Sequence, residues 1–204
     1  MEEIQNSTSN NQTMNEKPVI AVVGFPRSGT SLMMRMLHQG GLDVVAGNYA
    51  SYEDDRANFC NEEFEFLRDC GGKAVKLLEA QRMRLPEISY NFIWMRRQAR
   101  EQGKSQAKFL KQVMALPVEP EAGERLAQGI LRDTLPAQAR LMRMTRSNLC
   151  EVWFERLLSY PREEALKVQN FLNAVLDVDA MVAQVKKRPT GCLEGFMELE
   201  WAGR

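Results

Sequence analysis

The stretch Gly24-Phe25-Pro26-Arg27-Ser28-Gly29-Thr30-Ser31 places one arginine and three hydroxyl side chains in a run bounded by glycines. A turn of this kind exposes consecutive backbone N–H groups. Where a helix follows, the positive end of its dipole is added, and an anion is stabilised there. The nucleotide triphosphate form of such a loop is GxxxxGK[ST], in which the lysine reaches the β- and γ-phosphates and the Ser/Thr holds magnesium. Here Thr30 stands in the lysine's place, and the basic group lies inside the loop as Arg27. The same glycines also suit a plain strand-to-helix connection with no ligand.

The surrounding pattern supplies the elements such a loop needs. Val19-Ile20-Ala21-Val22-Val23 is an uninterrupted β-branched and apolar run, suited to a central strand of a parallel sheet covered on both faces. Thr30 to Gln39 reads as a helix with Leu32, Met33, Met36 and Leu37 on its buried side, stopped by Gly40-Gly41. Further along, a helix is expected at about 58 to 70, strands at about 73 to 78 and 91 to 95, and a long helix from about 98 to 115. Residues 116 to 123, with Pro117, Pro120 and Gly123 among acidic side chains, read as an exposed loop, either a lid or a connector. Helical patterns follow at about 124 to 144 and 162 to 176, with a strand at about 149 to 154 between them. The alternation predicts an α/β fold, a three-layer sandwich with a central parallel sheet.

The string GFPRSGTS, after a buried strand, resembles the 5′-phosphosulfate loop of the sulfotransferase family, G-x-P-[RK]-S-G-T-[ST]. The resemblance implies a P-loop NTPase-like sulfotransferase fold and a donor, 3′-phosphoadenosine 5′-phosphosulfate (PAPS), that leaves as 3′-phosphoadenosine 5′-phosphate (PAP). Arg27, Ser28, Gly29, Thr30 and Ser31 would hold the donor's 5′ end, with Arg27 also acting on the transferring group. That group carries less negative charge than a phosphoryl group, so a guanidinium and backbone donors can serve it without a metal.

A second segment matches the same family. Its members bind the 3′-phosphate through an arginine at a strand end and a serine eight residues later, and Arg97 and Ser105 have that spacing. A bidentate guanidinium beside the carboxyl ends of parallel strands, with a hydroxyl from the next helix, suits a phosphate. Arg96, Arg97, Arg100, Lys104, Lys108 and Lys111 equally suit a solvated basic helix face. A weaker match runs from Leu149 to Pro161, and the resemblance spans about Pro18 to Asn173. The family's C-terminal glycine-rich element has only a degenerate counterpart in Lys186-Lys187-Arg188-Pro189-Thr190-Gly191.

Transfer to a hydroxyl or amine also needs a base. Glu53 follows the first helix at a distance similar to the catalytic glutamate of tyrosylprotein sulfotransferases, and Arg56 could orient it. A solvated acidic turn or a helix cap is the plainer role for Glu53. The single histidine, His38, lies two turns inside the helix and is expected to be structural. Lys76 falls near a strand end, facing either the donor or solvent.

Bulk properties limit the rest. The 204 residues suit a single domain over 18 to 204, after a polar tail at 1 to 17 too poor in apolar groups to order. With 27 basic and 27 acidic side chains no global field draws the chain to nucleic acid or a membrane. Cys60, Cys70, Cys150 and Cys192 form no CxxC pair, which predicts a metal-free protein. No signal-like or membrane-spanning stretch is evident, and the expected location is the cytoplasm. The reading is thus a PAPS-dependent sulfotransferase with a small-molecule or peptide acceptor. The alternatives are a small-molecule or nucleoside kinase, and a non-catalytic nucleotide-binding module of the same fold.

Overall fold

The computed structural model describes residues 17–57, 64–143 and 147–186. The expected tail, Cys60, Cys192, residues 58 to 63 of the expected helix and most of the Lys186–Gly191 element lie outside the described residues. Five strands, β1 (Val19–Gly24), β2 (Val44–Val45), β3 (Ala74–Leu78), β4 (Tyr90–Arg96) and β5 (Ser147–Trp153), form one all-parallel sheet in the order β2-β3-β1-β4-β5. β1 is central, with Val22 beside Lys76 of β3 and Ile93 of β4.

Alternation along the strands divides the core in two. Ile20, Val22, Ile93 and Met95 face one side, where Met33, Met34, Met36 and Leu37 of α1 (Thr30–Gln39) pack with Leu157, Val168 and Met181. Val19, Ala21, Val23, Phe92 and Trp94 face the other, against Leu67, Ala137 and Leu141. Both faces are therefore covered, as an all-parallel sheet requires, and the molecule has three layers. α2 (Ala99–Gln112) and α3 (Ala122–Met142) cross at backbone distance: a Cβ on Gly103 would lie 2.2 Å from the Gly123 carbonyl oxygen.

Some elements differ from the sequence reading. The described part of the expected helix at 58 to 70 is a 3-10 helix, Glu65–Cys70, preceded by another at Asp55–Ala57. Phe64, Leu67 and Cys70 are buried at a spacing of three, the period of that tighter helix. The last expected helix is α5 (Pro161–Leu172), which ends earlier than read, and it is flanked by two short helices that the sequence reading did not include, α4 (Phe154–Ser159) and α6 (Val178–Ala183). Asn173, in the left-handed region at φ 47°, ends α5, and the Asp177 carboxylate accepts from the Ala180 N–H to start α6.

Candidate functional site

The site gathers at the carboxyl ends of β1 and β4, neighbours whose connections diverge, from β1 through α1 to β2 at one edge and from β4 through α2 and α3 to β5 at the other. Ligands of open α/β sheets bind at such a switch point. Gly24 ends β1 so close to its neighbours that a Cβ there would lie 2.7 Å from Ser28 Oγ and 2.8 Å from the Met95 carbonyl oxygen. The loop then turns sharply. Arg27 adopts a left-handed conformation at φ 68°, and Gly29, at φ 100°, precedes the first residue of α1. Left-handed backbone at a bulky residue costs about 1–3 kcal/mol and persists where the surroundings hold it in place.

Those surroundings come mainly from α2. Gln102, almost fully buried, donates through Nε2 to the carbonyls of Phe25 (3.3 Å) and Pro26 (2.8 Å). Arg97 Nη1 donates to the carbonyl of Arg27 at 3.3 Å. Three consecutive loop carbonyls, those of Phe25, Pro26 and Arg27, are thereby held in place by side chains, which fixes the shape of the turn that leads into α1. No side chain caps α1 and no acidic residue lies in its first turn, so its positive end is not neutralised from within the helix.

Arg27 Nε donates to Ser105 Oγ at 3.2 Å, and the guanidinium lies 5.3 Å from the Phe109 ring centre. The Arg97 guanidinium lies 5.0 Å from the ring centre of Phe154, which also packs under Gly29. The structure therefore brings Arg27, Ser28, Gly29, Thr30, Ser31, Arg97 and Ser105 into one place. Ser28 is fully buried, and its hydroxyl has no hydrogen-bond partner among the described residues. An orphaned hydroxyl and uncapped helix N-terminus beside two guanidinium groups fit an anionic ligand.

Glu53 lies on the far side of the loop. Its side chain is 57% exposed, and it lines a cavity of about 240 Å³ together with Pro26, Asp55, Lys76, Leu78 and Glu79. The residue that orients it is Lys76, at 3.0 Å, rather than Arg56. Arg56 instead holds Asp54 through two side-chain contacts of 2.9 Å, because Asp54 also caps the Arg56 N–H and so keeps that side chain at hand. The Arg56 guanidinium holds the Asp54 carboxyl below the usual aspartate range. Lys76 itself is buried, and its ammonium points to Ser31 and the floor of the cavity rather than to open solvent.

His38 takes the structural place expected of it. Its Nδ1 lies 3.2 Å from the Tyr52 hydroxyl, and the rings of His38, Tyr49 and Tyr52 cluster within about 6.1 Å of one another. Burial pushes the Tyr52 hydroxyl's pKa up, opposed by Arg35. At the β5 edge Glu151 accepts from Arg96 (3.1 Å), Gln138 (2.9 Å) and Trp153 Nε1 (2.9 Å), a knot that fixes the end of β4 next to Arg97.

No family profile matches the chain, and no curated protein matches it by sequence. Solved structures do match it. Mouse sulfotransferase SULT7A1, solved in complex with PAP, is 14% identical with a TM-score of 0.58, over 89% of this chain and 71% of that one. The sulfotransferase domain from the curacin biosynthetic pathway is 11% identical with a TM-score of 0.51, over 89% of this chain and 82% of that one. The fold is that of the sulfotransferases. Among the described residues no helix is long and apolar enough to cross a membrane.

Proposed function

We propose that this protein is a PAPS-dependent sulfotransferase acting on a hydroxyl or amine. The observation that carries the reading is the convergence of Arg27, Arg97 and Ser105 on a loop whose carbonyls are held by Gln102 and Arg97. The nucleotide in the mouse SULT7A1 complex is consistent with it.

In this reading the N–H groups of Ser28 to Ser31 receive the 5′-phosphate, and Arg97 with Ser105 receives the 3′-phosphate. Arg27 stabilises charge on the leaving phosphate oxygen as it develops. The acceptor, in the cavity beside Glu53, forms a bond to sulfur while the bond from sulfur to the 5′-phosphate oxygen breaks. The electron pair stays on that phosphate, and the acceptor's proton passes to the Glu53 carboxylate. None of these roles calls on a divalent cation.

Calorimetric titration with PAP in the absence of magnesium, beside ATP with magnesium, tests this. Tight binding of PAP alone is expected. Binding of ATP alone would replace the reading with a kinase.

A further inference from the structure

Lys76 is a charged residue in the middle of β3, and its side chain is only 4% exposed. Taking an ammonium out of water costs several kcal/mol unless it is paired and hydrogen-bonded. All three N–H bonds of this one are used: to Ser31 Oγ at 2.9 Å, to the Ser51 carbonyl at 2.9 Å and to Glu53 Oε1 at 3.0 Å. These partners belong to two different halves of the site. Ser31 lies in the first turn of α1, where the loop would hold its anion. Ser51 and Glu53 belong to the segment that lines the cavity.

That segment needs an anchor. It folds back on itself through the N–H groups of Gly47 and Asn48, which donate to the Glu53 carbonyl at 2.9 and 3.0 Å. Tyr52, next to Glu53, is held in the left-handed region at φ 57°, an uncommon place for an aromatic residue. The Lys76 ammonium grips this strained segment from below on both sides of Tyr52. On its other side, Ser31 accepts from Lys76 and so keeps its own O–H to donate toward the loop's anion.

We infer that Lys76 is a positioning residue that couples the two halves of the site, presenting Glu53 to the cavity and, through the Ser31 hydroxyl, sensing the charge of the bound donor. The inference rests on the donor reading above. The coupling has a sign. Glu53 holds the Lys76 ammonium on its own side, so removing the carboxylate frees the ammonium to shift toward Ser31 and attract an anion there more strongly.

The test is calorimetric titration of the full chain with PAP at low ionic strength, for wild type, Glu53→Gln, Lys76→Met and the double variant. Glu53→Gln is expected to bind PAP about 3- to 10-fold more tightly than wild type, the low end of coupling between neighbouring sites. In the Lys76→Met background the same substitution is expected to change affinity less than about 2-fold. Lys76→Arg, which keeps the charge, should restore part of the Glu53 effect, and Lys76→Gln serves as the uncharged background if the methionine variant does not fold. An unchanged affinity in Glu53→Gln, or an equal gain with and without Lys76, overturns the coupling while leaving the donor site standing. Failure of wild type to bind PAP instead removes the donor reading, and this inference with it.

Discussion

Arg27 Nε lies 3.2 Å from the hydroxyl of Ser105, 78 positions further along the chain. The bond ties the loop after β1 to the second turn of α2. One hydroxyl therefore borders both the position proposed for the transferring group and the position proposed for the 3′-phosphate.

The two arginines should separate kinetically. Arg27→Ala is expected to slow donor consumption by about 10² to 10³ while PAP affinity changes much less, since its charge acts on the leaving oxygen. Arg97→Ala is expected to weaken PAP by about 10- to 100-fold, the scale of a charge-assisted contact. Titration beside steady-state rates checks both, and the opposite pattern would exchange the roles.

Gly29→Ala should damage the site twice. Its φ of 100° disfavours any side chain, and a Cβ would lie 2.5 Å from Phe154 Cδ2. Phe154 supports the Arg97 guanidinium, so a shifted ring moves the arginine as well. PAP affinity should fall about 10-fold or more, with a melting temperature lowered by a few degrees. Unchanged affinity would show that the loop's shape does not set binding.

Gly103→Ala tests the helix crossing. Alanine is the better helix former by about 1 kcal/mol, yet here its methyl would lie 2.2 Å from the Gly123 oxygen. Overpacking should win, with a net loss of about 1–3 kcal/mol and a melting temperature lower by about 2–12 °C. PAP affinity should also fall, because the neighbouring Gln102 holds the loop.

Asp54 predicts an acid-side effect. Its carboxyl is held below the usual range by Arg56, so the folded state binds that proton less readily than the unfolded chain. The stabilisation is fully present above the ordinary aspartate value of about 3.9 and is lost as pH falls below it. Arg56 is largely exposed, which limits the effect to about 1 kcal/mol or less. Denaturant melts of Asp54→Asn between neutral and acid pH should show a flatter acid-side slope than wild type. An unchanged slope would remove the pair from the pH response.

What the sequence revealed followed from strong local signals. The apolar run Val19 to Val23, closed by Gly24, reads as a doubly covered strand and is one, and the loop composition with the Arg97–Ser105 spacing picks out residues that the fold brings together. Gln102 was not legible, because an amide on an amphipathic helix reads as a solvated residue until the loop it grips is in view. Lys76 left a fainter signal: a lone cation in the apolar strand Ala74-Val75-Lys76-Leu77-Leu78, of which only its position near a strand end was read. The partner of Glu53 was misread because Arg56 lies close in sequence, whereas Lys76 is 23 positions away. Tertiary pairing overrode sequence proximity.

The close approach of Gly103 to Gly123 bears on the exposed connection between them, where Val113, Met114 and Leu116 face outward. Two helices locked at backbone distance do not rely on their linker for register. A protease cutting between Val113 and Glu121 should therefore leave a nicked protein whose two fragments stay associated, with the anion loop still clamped by Gln102.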